Sequence, residues 1–252
     1  MKREFRLLLT GHDTAFMNMA IDEAIMLHQG RVPPTIRLYG WKPPAVSIGY
    51  FQSLEEEVDL EKCREAGVDL IRRITGGGAV FHDNELTYSF ITKESDPLVP
   101  KEILESYKVI CSGIISGLSS LGVRSEFAPL NDIISGGKKI SGNAQTRRNH
   151  CVLQHGTLLI GVDAKRMFSL LRVPSEKIRR MLIKSAEERV TSIGSLLGRK
   201  VSFEETADAT AEGFRKSLGI KLVKGELTKS EMKMAKELAE KKYGAKEWNF
   251  RR

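Results

Sequence analysis

The sequence predicts an α+β fold in which a mixed or antiparallel sheet is flanked by helices. Three observations carry this. Segments rich in β-branched and aromatic residues dominate the first two-thirds of the chain. Helical periodicity dominates from about Ala164 onward. The two patterns do not alternate, as a doubly wound parallel sheet would require. No linker-like stretch divides the 252 residues, so a single domain over 1–252 is expected, helical from about 164.

In order, "NMAIDEAIML" opens with a capping-type Asn18 and predicts a helix from about Asn18 to His28. "TIRLYGW" and "AVSIGYF" read as two strands joined by a "KPP" turn. "LEEEVDLEKCREAG" reads as one helix closed by Gly67. "VDLIRR" is a short strand running into three glycines, and "ELTYSFIT" is the next strand. In "KEILESYKVICSGIISGLSSLG" the residues Ile103, Tyr107, Ile110, Ile114 and Leu118 share one helical stripe. "NDIISGGKKISGNAQTRR" and "CVLQHGTLLIGV" read as sheet segments separated by a turn. Helices follow in "AKRMFSLL", "SEKIRRMLI", "FEETADATAEGFRKSL" and "KSEMKMAKELAEKKY".

Hydrophobic residues make up 41% of the chain and charged ones 29%, enough for a buried core with a charged surface. No apolar run approaches the roughly 18–20 residues needed to cross a bilayer, and the apolar stretch near the N-terminus is too short for a signal peptide. A cytoplasmic protein is expected. Cys63, Cys111 and Cys151 are widely spaced and form no CxxC, which argues against a disulfide framework and a zinc site. The formal charge of +8 admits anionic small molecules, an acidic protein or nucleic acid as partners. From Lys221 to Arg252 there are 10 Lys+Arg against 5 Asp+Glu, interleaved at helical spacing, which reads as a solvated helix face.

Candidate chemistry gathers in three stretches. In "RRITGGGAVFHD", Arg72 to Asp83, the glycines bare the backbone. A glycine run suits a flexible turn as well as an anion loop. The flanking Arg72 and Arg73 add fixed positive charge, so guanidinium and amides could hold a phosphate together. The pattern is neither GxGxxG nor GxxxxGK[ST]. In "LNDIISGGKKISGNAQTRR", Lys139 reads first as a surface lysine. Beside an anion loop it becomes a candidate for stabilising charge on a phosphoryl or acyl oxygen. In "LQHGTLLI", His155 reads first as a buried, satisfied histidine and second as a general base. Its spacing defines no metal site.

With these three motifs in this order, the chain resembles the lipoate–protein ligase family, within the wider biotin/lipoate ligase and octanoyltransferase group. The likeness runs from "NMAIDEA" to "KYGAKEWNFRR". It implies the catalytic fold of biotin ligases and class II aminoacyl-tRNA synthetases. It implies ATP-dependent activation of lipoate to lipoyl-AMP, then transfer to a lysine of an acceptor lipoyl domain. Such acceptors are E2 subunits of 2-oxoacid dehydrogenases and the glycine-cleavage H protein. By motif, Arg73, Gly76, Gly77, Gly78, Ala79, Val80 and Phe81 would bind nucleotide, with Lys139 contacting both the phosphate and the acyl oxygen. His82, Asn131, Asp132, Ala144 and His155 are further contacts implied by the resemblance, Asp132 as a Mg²⁺ ligand.

Two departures from the family pattern matter. "PPTIRLYGWKPPAVSIGYFQ" and "AQTRR…VLQHGTLL" are especially close to an octanoyltransferase branch, which uses no ATP and passes octanoyl through a cysteine in a loop before the "GKK" motif. Here that loop, "EFAPLNDIISGG", is short and has no cysteine, and Cys151 reads as a small buried residue at a strand start. Many lipoate ligases also carry a C-terminal accessory domain, a separate polypeptide in some archaeal relatives, so a small partner subunit is expected. A basic nucleic-acid-binding module is the remote alternative, because the basic residues lack aromatic interleaving.

Overall fold

The computed structural model describes residues 2–251. The first half comprises β1 (Glu4–Asp13), α1 (Ala15–Leu27), β2 (Thr35–Trp41), β3 (Ala45–Ile48), α2 (Leu54–Glu57), α3 (Leu60–Glu65), β4 (Asp69–Arg72), β5 (Val80–His82), β6 (Glu85–Lys93) and α4 (Ile103–Ser120). The second comprises β7 (Glu126–Ala128), β8 (Asp132–Ser135), β9 (Lys138–Arg148), β10 (Cys151–Leu159), α5 (Ala164–Leu170), α6 (Glu176–Arg189), α7 (Ile193–Leu197), α8 (Phe203–Ser217), β11 (Lys221–Lys224), α9 (Lys229–Leu238), a π-helical turn (Ala239–Tyr243) and α10 (Lys246–Asn249).

An eight-stranded sheet runs β11-β1-β2-β6-β10-β9-β8-β7. β1 is parallel to β11 and β2, while the other neighbours are antiparallel, so the sheet is mixed as the sequence predicts. A second sheet, β4-β3-β5, lies apart. The two strands around "KPP" therefore fall in different sheets and are not a hairpin. β1, β5, β7 and β11 went unpredicted; β5, β7 and β11 are only three or four residues long, and β11 lies among helices.

α4 and α8 cover one face of the large sheet. Ile110, Ile114 and Leu118 of the predicted stripe are fully buried, but Ile103 at its start is 58% exposed. The two helices approach closely through glycines. A Cβ on Gly213 of α8 would lie 2.3 Å from Gly113 O and from Gly117 N of α4. Phe214 fills the space beside Gly113.

α1 and α9 lie against the other face. α1 starts at Ala15 with Thr14 as its cap, not Asn18. Asn18 is wholly buried, and its Oδ1 accepts a 2.6 Å hydrogen bond from Arg37 Nη2. Arg37 also pairs with Asp22 at 2.8 Å, and neither side chain reaches solvent appreciably. Arg6 of β1 meets Glu231 of α9 through both oxygens, at 2.8 and 2.6 Å. The predicted helix before Gly67 is two short helices, broken at Val58–Asp59, where Asp59 caps α3. From Ala164 onward the chain is helical apart from β11.

Gly213→Ala is expected to destabilise the fold by about 1–3 kcal/mol through overpacking of the α4–α8 contact. Urea denaturation checks this, and an unchanged midpoint would contradict the close approach.

Candidate active site

β4 leads into the glycine segment, and β3 lies beside it. Gly77 has φ +97°, which favours glycine, and a Cβ there would lie 2.8 Å from Arg73 Nη2. Gly49, just after β3, is glycine for another reason. A Cβ there would lie 2.0 Å from Gly77 O, so any larger residue would push the loop outward. Arg73 holds this loop from within. Its Nη1 donates to Ser47 O and Oγ at 3.0 and 3.1 Å, and its Nη2 donates to Gly76 O and Gly78 O at 2.8 and 2.7 Å. Burial pushes its pKa down to about 10, so it stays charged at neutral pH. Among the described residues no carboxylate pairs with it. Its neighbour Arg72 behaves differently. Its guanidinium binds the carbonyls of Gly49, Tyr50, Gln52, Trp248, Asn249 and Arg251, so it ties the C-terminal turn to β3.

Two histidines support the same loop, each through a hydroxyl. His82 is bonded at Nε2 to Ser47 Oγ (2.7 Å) and at Nδ1 to Glu85 Oε1 (2.6 Å). Trp41 stacks on its ring at 4.0 Å. Because Ser47 also receives Arg73, a chain of contacts runs from Glu85 to the glycine carbonyls. His155 is bonded at Nε2 to Thr75 Oγ1 (2.7 Å), one residue before the glycines, and its Nδ1 lies 3.4 Å from Asp22 Oδ2. Burial pushes the His155 pKa down, and Asp22 only partly offsets this. Burial also acts to raise the Asp22 carboxyl, but Arg37, His155 and Ser89 hold it below its ordinary value.

Lys139 reaches the same side by a β-bulge. In the β8–β9 pairing Ile133 faces Ser141 while Ile134 faces Lys139, so Ile140 is the extra residue. The bulge lets Ile140 and Ser141 both be buried and reverses the alternation, so Lys139 lies over Gly142. Lys139 Nζ is 2.7 Å from Asp132 Oδ1, an ion pair without aligned hydrogen-bond geometry. Both partners are partly exposed, so the pair adds little stability and can open. Asn131 ties β8 to β9, exchanging hydrogen bonds with Asn143.

These groups surround a cleft of ≈ 1120 Å³. Arg73, Gly77, Gly78, Ala79, Val80, Phe81, His82, Asn131, Lys139, Ala144 and His155 all line it. Gly76 and Asp132, also candidates from the sequence, stand behind the lining. Sequence reasoning missed Ser47, Trp41, Thr75 and Glu85. Ser47 and Glu85 became significant only once the β3–β5 pairing and the His82 contacts brought them together. Among the described residues no group of three or more His, Cys, Asp or Glu could hold a metal ion. Asp132 Oδ1, which lies 2.7 Å from Lys139 Nζ, is compatible with a Mg²⁺ that draws its other ligands from phosphates and water once that ion pair opens.

Residues 14–215 match the family model described as the lipoyl protein ligase A/B catalytic domain. The chain belongs to this family. A relative, octanoyltransferase LipM of Kyrpidia tusciae, is 43% identical over 98% of this chain and 99% of its own length. The LipM of Symbiobacterium thermophilum is 42% identical over the whole of both chains. Among solved structures, the bi-partite lipoate protein ligase of Thermoplasma acidophilum superposes with a TM-score of 0.88 at 34% identity, covering 99% of this chain and 96% of that one. A lipoate–protein ligase A solved with ATP gives 0.83 at 34% identity, covering 99% of both. The chain is thus an enzyme of the lipoate/octanoyl transfer superfamily.

For a member of this family the position of thiols matters. None lines the cleft. Cys111 is locked in α4 with its pKa pushed up to about 12, and Cys63 in α3 sits at about 11, both through burial. Cys151 lies under α1, with Sγ 3.5 Å from Met26 O, and burial raises its pKa. It is four residues along β10 from His155, about 13 Å at strand rise. The link between β7 and β8 is only residues 129–131.

His155 sets a pH dependence. Its folded pKa lies below the ordinary value of about 6.5. Between the two values the unfolded chain binds more protons, so stability rises with pH across that window and falls as pH drops through it. The thermal midpoint should fall as pH drops below about 6.5. In His155→Gln the fall should begin at lower pH, where carboxylates protonate. Superimposable melting profiles would contradict this.

Proposed function

We propose that this chain is a lipoate–protein ligase that activates lipoate with ATP and transfers the lipoyl group to a lysine of an acceptor lipoyl domain. The observation that carries this is a cleft with a buried, unpaired Arg73, bare glycine amides and Lys139, but no thiol. A free carboxylate does not acylate an amine at neutral pH. It must first attack the α-phosphorus of ATP, forming the mixed anhydride and releasing pyrophosphate. The lysine amine then attacks the acyl carbonyl and AMP leaves. Charge builds on phosphate oxygens in the first step and on the acyl oxygen in the second.

Arg73 offers a fixed positive field beneath the loop without having to leave its carbonyls. The Gly77 and Gly78 amides can approach an anion because no Cβ shields them. Lys139 can exchange its exposed bond to Asp132 for an oxygen of the substrate. A Mg²⁺ held by phosphates and Asp132 would neutralise part of the triphosphate charge. The relatives support ATP, lipoate and a lipoyl-domain acceptor. One ligase was solved with ATP, a Thermoplasma acidophilum protein was solved with lipoic acid, and the bi-partite ligase was analysed along with its E2 lipoyl domain. The likeness to the bi-partite enzyme also supports a separate small subunit that assists adenylation.

The second reading is an octanoyltransferase, and the names of the curated relatives favour it. Those LipM proteins reach 43% identity, above the 34% of the solved ligases. Such an enzyme would take octanoyl from a carrier-protein thioester. The ligase reading ranks first because the transferase chemistry implied by the resemblance needs a cysteine nucleophile, and all three thiols lie outside the cleft.

Mass spectrometry of an apo lipoyl domain, incubated with enzyme and either lipoate plus ATP or octanoyl carrier protein, separates the two. The ligase predicts lipoyl addition only with ATP. Lys139→Ala should lower the rate by about 10²–10³, the cost of one lost oxyanion donor, and near-wild-type turnover would remove Lys139 from the mechanism. Cys151→Ser should keep full activity. An octanoyl thioester on the wild-type enzyme, absent from this variant, would establish the transferase instead.

A further inference from the structure

A patch of arginine and aromatic side chains lies beside the glycine loop, outside the cleft. Tyr50 follows Gly49, and its backbone N–H donates to Thr75 O at 2.9 Å. Arg148, at the end of β9, lies 4.4 Å from the centre of the Tyr50 ring. Arg251 lies 3.9 Å from the same ring and 4.1 Å from that of Trp248. Neither guanidinium has a carboxylate partner among the described residues, although Arg147 and Lys242 nearby are paired with Glu94 and Glu23. Phe51 is 89% exposed beside them.

Two like charges gathered on one tyrosine repel each other. Solvent makes this tolerable, and a carboxylate from outside would relieve it. Arg251 also donates to the hydroxyl and the carbonyl of Tyr50. An exposed aromatic side chain flanked by arginines that lack a carboxylate partner has the composition of an interface anchor and its polar rim. The patch is continuous with the cleft. Gly49 packs against Gly77, so a body resting on Tyr50 and Phe51 stands at the rim of the exposed glycine loop.

We propose that this surface docks the protein carrying the acceptor lysine, through carboxylates that meet Arg148 and Arg251 around an apolar spot that receives Phe51. This rests on the acyl-transfer activity proposed above. A nucleic-acid strand fits less well. Its bases need open aromatic faces, and the Tyr50 ring carries Arg148 and Arg251 while the Trp248 ring carries Arg251 and Lys242.

The test uses the full chain with an apo lipoyl domain as acceptor and, separately, with hydroxylamine, which intercepts the activated acyl group without docking. Phe51→Ala and Arg148→Glu should each raise the KM for the lipoyl domain about tenfold and leave hydroxamate formation unchanged. Added salt should raise the wild-type KM and have little effect on that of Arg148→Glu. An unchanged KM in both variants overturns the docking surface. So does an equal loss of hydroxamate formation, which would mark the patch as structural. A gel shift with RNA that Arg148→Glu abolishes, with the lipoyl-domain KM unmoved, would assign the patch to nucleic acid. If the wild type makes no hydroxamate from lipoate and ATP or from octanoyl carrier protein, the acyl-transfer activity itself fails, and the docking proposal with it.

Discussion

The guanidinium of Arg73 is buried with no counter-charge among the described residues, and the candidate site is arranged around that fact. Removing a cation from water costs several kcal/mol unless its donors are met. Four of its five N–H bonds are met by Ser47 and by the carbonyls of Gly76 and Gly78. The carbonyls satisfy the donors without cancelling the charge. The loop is thereby folded back on its own strand, with its carbonyls turned inward. The charge that remains uncompensated faces a cleft, where a phosphate can supply what the protein does not. Glycine at 77 and at 49 follows from the same arrangement, since a Cβ at either position would collide with it.

The large sheet supplies the rest by register. His155 opposes Ala144 across β9 and β10, which puts both on the cleft face. Lys139 joins them only because one extra residue in β9 shifts the alternation. Thus a hydrophobic requirement and a polar one are met by the same strand. Ile140 enters the core against α4, and the neighbouring lysine is aimed at the cleft. Below, the Asp22–Arg37 pair keeps a carboxylate beside His155 inside the protein. The carboxylate orients the ring, while burial outweighs its pull on the proton and lowers the His155 pKa, so the ring is neutral and fixed, which fits a role in holding Thr75 and the loop.

What the sequence disclosed divides along physical lines. Helix α4 was legible because its periodicity extends over five turns, and strand β6 because its residues are buried and β-rich. The glycine segment, Lys139 and His155 were legible because unusual residue types stand beside one another in the chain. Asn18 looked like a helix cap because capping asparagines occur at such positions. It proved to be a buried partner of Arg37, which no local pattern reveals. Arg72 and Arg73 were indistinguishable as letters, yet consecutive residues of a strand point to opposite faces. One ties down the C-terminal turn and the other the glycine loop. Ser47 and Glu85 were invisible for the same reason, since their significance lies in contacts made across chain distance.

Overall identity and site chemistry answer different questions about this chain. Identity weighs every position alike, and most positions describe the sheet and helices shared by ligases and transferases. The difference between an acyl-adenylate and an acyl-thioester rests on one nucleophile. A thiol must ionise to attack, and ionisation needs exposure or a nearby cation. Each cysteine here is buried, and burial raises its thiol pKa; Lys93 near Cys151 does not reverse this. The three-residue link from β7 to β8 leaves no room for a loop that could carry another. Arg73 is a standing charge that the phosphates of the proposed adenylation would meet. The proposed ligase reading rests on the environment of the reacting groups, because free energy along a reaction path is determined there.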